Sequence, residues 1–165
     1  MHGVNAHGNP VSPSRAVSPY FQTFLAAQVK TEAKGFLSRH ISVKDMQETA
    51  GDIHHIVPKD HLQKHGYPDR RDYNQVGNFA LTETSINIAI SNRPPRDYMA
   101  EMDEQIRTGV LTLGEIIDRG DLSRNLRENA LPMTLGEVTA ATYPEFLAER
   151  RKLMAAKIRE YYERL

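Results

Sequence analysis

Two adjacent histidines, His54 and His55, stand in the stretch Gly51-Asp-Ile-His-His-Ile-Val-Pro-Lys59. The run Asp52–Val57 is β-rich and closes at Pro58, which predicts a short strand. Successive side chains of a strand point to opposite faces, so an ideal strand cannot bring both rings to one ion. At a twisted strand end, one ring can turn to a metal while the other faces a substrate. Phosphodiester hydrolysis needs that division of labour. One group helps hold a divalent ion against the phosphate, and another takes a proton from water. Neutral imidazole suits the second task near pH 7. A histidine pair alone is more often structural or superficial, so its neighbours decide its meaning.

Two asparagines are the relevant neighbours. Asn78 follows Gly77 and leads into the apolar run Phe79-Ala-Leu. Asn87 lies among Ile86, Ile88 and Ile90 in a segment of helical character. An amide among isoleucines needs a partner, and a metal or a bound water would supply one. The plainer alternatives are a turn residue beside Gly77 for Asn78, and a surface amide or local cap for Asn87. His61 and His65 lie close by and are expected on the surface. His2 and His7 fall in a Gly-, Pro- and Ser-rich lead-in, too loose to preorganise a site.

The elements that must position these residues follow from the pattern. Residues 1–18 are expected to be a disordered or extended lead-in. Phe21, Leu25, Val29 and Ala33 recur at helical spacing, although Tyr20–Val29 also admits an extended reading. Ser42 is a candidate cap for a short helix, with Asp45 three residues on and Gly51 ending it. One or two helical turns are expected over Lys59–Lys64, a loop over Asp69–Asn74, a second strand over Phe79–Thr82 and a helix over Glu83–Ser91. Pro95 is placed to start a helix over about Arg96–Thr108. Leu113–Arg119 and Leu122–Asn129 look like a pair of short amphipathic helices. Tyr143–Leu165 looks like a long one, with Phe146, Leu153, Ile158 and Tyr161 or Tyr162 on its packing face. The expected fold class is α+β, mostly helical: a single domain over 19–165, with a core near 51–92 and a helical part near 94–165.

The 165 residues suffice for one domain with a core, and the formal net charge is zero. A strongly basic nucleic-acid binder would carry an excess of Lys and Arg, so any DNA contact must come from a local basic face. There is no cysteine, which excludes disulfides, thiolate zinc sites and a thiol nucleophile. No apolar run approaches membrane-spanning length and no secretory signal is evident, so a cytoplasmic location and no membrane partner are expected.

His54-His55-Ile-Val-Pro58, then Asn78-Phe-Ala-Leu-Thr-Glu-Thr-Ser-Ile-Asn87, then Ser91-Asn-Arg-Pro-Pro95 resembles the HNH nuclease motif, in the variant whose last ligand is Asn. The likeness extends to the C-terminal HNH module of GmrSD-like restriction endonucleases. There the stretch from about Tyr20 to Met99 is similar to the module, and Tyr143-Pro-Glu-Phe-Leu-Ala-Glu-Arg resembles the end of that family. The resemblance implies a ββα-metal hairpin-plus-helix core and an endonuclease hydrolysing DNA, in restriction or defence against foreign DNA. By that resemblance His55 is the general base, His54 and Asn87 are metal ligands, and Asn78 orients the loop between the strands. The implied ion is Mg2+, with Mn2+ able to substitute and Zn2+ or Ni2+ able to bind in vitro. Ser91 stands where many HNH proteins place a further His. The implied partners are DNA and a ParB-like nucleotide-dependent subunit or domain. Lys59, Lys64, Arg70, Arg71, Arg93 and Arg96 are candidate phosphate contacts. Two alternatives stay open: a non-catalytic DNA- or partner-binding module, and a truncated remnant of a larger restriction protein.

Overall fold

The computed structural model describes residues 18–49 and 51–165. Most of the lead-in, with His2 and His7, lies outside the described residues. Ser18 lies inside them and does a defined job: its Oγ accepts from Phe21 N at 3.2 Å and caps helix α1, Pro19–Lys30. Tyr20–Val29 is therefore helical, not extended. Ala33 falls beyond the helix, because Glu32 turns the chain with φ 56°.

Helix α2, Val43–Glu48, begins as expected, with Ser42 Oγ accepting from Asp45 N. Gly51 does not end it; Gly51 opens strand β1, Gly51–His55. Its lack of a side chain has a packing reason, since a Cβ there would lie 2.7 Å from Met46 Cβ. Strand β2, Phe79–Glu83, pairs antiparallel with β1, setting Asp52 opposite Thr82, His54 opposite Ala80 and His55 opposite Phe79. Between them run α3, Lys59–Lys64, and α4, Arg70–Tyr73, then a 3-10 turn Val76–Asn78. The loop expected over Asp69–Asn74 is thus a single helical turn, anchored because Tyr73 is buried in the core.

Helix α5, Thr84–Ile90, follows β2 directly and packs back on both strands. Helix α6, Pro95–Thr108, starts on Pro95 and stops at Gly109 with φ 75°. The helix expected over Leu113–Arg119 does not form; residues 113–118 are irregular and Arg119 opens the next helix. There the side chain of Gln105 replaces helical bonding: Oε1 accepts from Thr112 N and Leu113 N, and Nε2 donates to Leu113 O and Ile116 O. Leu113 and Ile116 are buried all the same. Helix α7 is Arg119–Glu128 and α8 is Tyr143–Glu163. The buried face of α8 is Tyr143, Phe146, Leu147, Arg150 and Met154, whereas Tyr162 is exposed. Through that face α8 packs on the core.

The fold is α+β, helices around one two-stranded sheet. The hairpin divides the core. Ala80 joins Phe36, Ile56, Ile86 and Tyr98 on one side; Leu81 joins Phe21, Phe24 and Met46 on the other. Among the described residues no helix is long and apolar enough to cross a membrane.

Candidate functional site

Alternation along β1 sends His54 and Asp52 to one face and His55 to the other. His54 is buried at 3% exposure. Its ring stacks on Phe36 with centroids 5.6 Å apart and meets the edge of Tyr98 at 6.1 Å. Phe36 is held there by α7: Asn125 Oδ1 accepts from Leu37 N, and Asn125 Nδ2 donates to Gly35 O and Ser38 O.

Asn87 reaches this face from α5, whose Ile86 and Ile90 are buried in the core. His54 Nδ1 lies 2.9 Å from Asn87 Oδ1, and Asn87 Nδ2 donates to Asp52 Oδ2 at 3.2 Å. A carboxylate only accepts, so Asp52 sets the amide orientation: Nδ2 faces Asp52 and Oδ1 faces His54. His54 Nδ1 then carries the proton. Its Nε2 is buried without a partner among the described residues. Burial, opposed by the Asn87 hydrogen bond and aided by the nearby charge of His55, lowers the pKa of His54 to about 4. The ring is neutral at pH 7, the form that ligates metals.

His55 is half-buried, edge-on to Phe79 at 5.3 Å and to Tyr73 at 6.1 Å. Its Nε2 is 2.9 Å from Asn74 Oδ1. Donation from Nε2–H to that oxygen leaves the lone pair on Nδ1. Burial chiefly, with the charge of Lys59, lowers its pKa, while the Asn74 hydrogen bond raises it. His55 is therefore a neutral imidazole with a free nitrogen, the form a general base needs.

Asn78 is fully buried. Its Oδ1 accepts from Val57 N at 2.8 Å, and Nδ2 donates to Val57 O and Tyr73 O. One amide thus ties both ends of the connection between the strands and fixes where Tyr73 and Asn74 stand beside His55. Arg150 of α8 supports the same turn from behind, donating to Gly77 O at 3.0 Å and Phe79 O at 2.7 Å.

The structure joins His54 to Asn87 and ties Asn78 to the chain just beyond His55, but the two histidines face apart. Lys59, Lys64, Arg70 and Arg71 are exposed on the connection, with Lys59 Nζ 5.6 Å from the Tyr73 ring centre. Arg93 is committed elsewhere: it donates to Ala89 O and Ile90 O and pairs with Glu101. Arg96 is exposed and lines a groove of about 540 Å3 between α6 and α7, whose floor includes Met99, Leu122 and Leu126. His61 and His65 stack at 4.2 Å on α3, with His65 exposed and His61 half-buried. Ser91 is an exposed C-cap at φ 55°.

Three residues escaped the sequence reading: Asp52, Asn74 and Arg150. Asp52 carried a signal, two positions before His54 on the same strand face. Asn74 and Arg150 carried none, because they arrive through tertiary contacts.

Among the described residues, no three His, Cys, Asp or Glu side chains converge as a metal-binding group. The His54–Asn87–Asp52 cluster includes an amide and is a different kind of donor set. What fold and site define is an α+β protein with a buried imidazole–amide–carboxylate cluster behind a half-exposed neutral histidine. No family model, curated protein or solved structure matches the chain.

Proposed function

We propose that this chain is a divalent-metal-dependent HNH-type endonuclease that hydrolyses DNA phosphodiester bonds, with β1, β2 and α5 as a ββα-metal core. The observation that carries the reading is the 2.9 Å approach of His54 Nδ1 to Asn87 Oδ1, from hairpin to following helix. It brings an imidazole and an amide oxygen from separate elements together; without an ion the contact is a hydrogen bond, and His54 Nδ1 would have to give up its proton for the pair to hold one. Imidazole nitrogen also accepts Zn2+ or Ni2+, so either could load in vitro.

In this reading His54 and Asn87 hold the ion, which when bound offsets negative charge on the phosphate and the leaving oxygen. His55, through Nδ1, takes the proton of the attacking water. The water oxygen bonds to phosphorus as the bond to the 3′ oxygen breaks, leaving a 5′ phosphate and a 3′ alkoxide that takes a proton from solvent to become the 3′ hydroxyl. Asn74 keeps the His55 ring in the basic tautomer, and Asn78 keeps Asn74 in place. Lys59, Lys64, Arg70 and Arg71, exposed and in no ion pair among the described residues, would take the backbone phosphates. A restriction or defence role, and a ParB-like nucleotide-dependent partner, belong to the same proposal.

Plasmid nicking with Mg2+ or Mn2+ tests the proposal. His55→Ala is expected to lower the rate by roughly 100-fold or more. Equal rates in both proteins would remove His55 from the chemistry.

One observation favours a second reading, a non-catalytic DNA- or partner-binding module. His54 is almost fully buried against Phe36, and its contact with Asn87 is already a complete hydrogen bond. Tight DNA binding with no cleavage under any divalent ion is its signature.

A further inference from the structure

We infer that His61 and His65 form a two-imidazole site for a borderline transition-metal ion such as Zn2+, on the connection between the strands and separate from the hairpin cluster. The two histidines stand four residues apart in His61-Leu-Gln-Lys-His65, with His61 inside α3 and His65 as its C-cap. Side chains four apart leave a helix on one side, one above the other. Two histidines at this spacing are the arrangement by which a single helix offers two imidazoles to one zinc ion. Here the rings are already together, with centroids 4.2 Å apart and planes inclined by 28°.

The end of α3 sets the tautomer of His65. Its backbone N–H turns to Leu62 O, three residues back, instead of to His61 O. The His61 carbonyl takes the ring instead, with His65 Nδ1 at 2.7 Å. A carbonyl only accepts, so Nδ1 carries the proton, and in the neutral ring Nε2 holds the lone pair. This is the way a ligating imidazole is oriented by its other nitrogen. His61 is half-buried; burial and the neighbouring His65 lower its pKa, opposed by the charge of Asp97, so this ring is neutral at pH 7. Asp97, in the first turn of α6, pairs with no Lys or Arg among the described residues, so its charge also favours a cation at His61. No third His, Asp or Glu converges on the rings among the described residues. The other positions of the ion are therefore for water or a ligand from outside the chain. Two nitrogen donors suit Zn2+, Ni2+ or Cu2+ and not Mg2+, which takes oxygen.

The test uses the full chain with Zn2+ as probe, following each histidine ring by NMR so that other histidines are read separately. In wild type the His61 and His65 signals should shift together along one saturating Zn2+ curve, and Mg2+ at the same concentrations should move neither. In His65→Ala the apparent zinc affinity at His61 should fall by roughly tenfold or more, because a lone imidazole loses the chelate. His61→Ala should weaken the response of His65 in the same way. An unmoved His54 signal in the metal-free variants shows that the fold is kept, and the wild-type curve stands without them. Rings that saturate at different Zn2+ concentrations in wild type, or that do not respond, overturn the inference. So does a His61 response that His65→Ala leaves unchanged. None of these readings depends on whether the protein cuts DNA, so the site and the nuclease proposal stand or fall separately.

Discussion

His54 shows how one ring's surroundings set its chemistry. Phe36 covers its face and Tyr98 its edge, and both are fully buried. Water is excluded, so the charged form is penalised, and one neutral amide cannot restore it. The unfolded chain takes up this proton below its ordinary pKa of 6.5, whereas the folded chain resists until about 4. The stability due to neutral His54 is therefore complete above pH 6.5 and is lost as pH falls from 6.5 towards 4. The whole effect is about 3 kcal/mol. Melting curves of metal-free protein across that range, compared with His54→Asn, should show the variant losing less stability on acidification. Parallel curves would mean that His54 is protonated in the fold. His55 differs because Asn74 and partial exposure leave one of its nitrogens open to solvent chemistry.

At the scale of elements, the buried guanidinium of Arg150 ties α8 to the turn that leads into β2. Arg150 is 0% exposed and donates to Gly77 O, Phe79 O, Asn129 O and Ala130 O. Burial lowers its pKa, and the fan of carbonyl dipoles replaces the water it has lost. Two of those carbonyls flank Asn78, so the helix that closes the fold also braces the turn leading into β2. Arg150→Met leaves these acceptors without donors and is expected to cost roughly 3 kcal/mol or more. Arg150→Lys should recover little, because one ammonium cannot span four carbonyls on two segments. Urea denaturation of the three proteins checks this. A stable Lys variant would show that charge, not the planar fork, is what the site uses. Gln105 does related work on α6, where its amide holds the irregular stretch after Gly109 in place of a helix.

Over the whole molecule the formal charges cancel, so the protein has no general attraction for nucleic acid. Binding must come from local cations. The connection between the strands exposes Lys59, Lys64, Arg70 and Arg71, of which Lys59 lies close enough for its charge to act on His55, whereas Arg93 is paired with Glu101. If the nuclease proposal holds, these cations sit on phosphates. Replacing Lys59, Arg70 and Arg71 with Ala should each reduce the slope of log affinity against log salt by about 0.9. Arg93→Ala should leave the slope unchanged. Fluorescence anisotropy with a labelled duplex over a salt series measures both, and an equal effect from Arg93 would move the DNA to another face.

Much of this was legible locally. Ser42 before Asp45, Pro95 at a helix start and alternation around His54 are signals carried by a few neighbouring residues, so the capped helices, the two strands and the opposed histidines could be read in order. Local rules also misplaced some elements: Leu113–Arg119 has helical periodicity, but a distant glutamine satisfies its backbone. Only the tertiary structure brought Asn74 to His55, Asp52 to Asn87 and Arg150 to the turn at Asn78. Those pairings join residues from separate elements and have no fixed spacing. The His54-His55 dipeptide was written in the sequence; the burial that makes one ring a neutral, enclosed donor and leaves the other half-open arose from packing, because desolvation depends on everything that folds around a side chain.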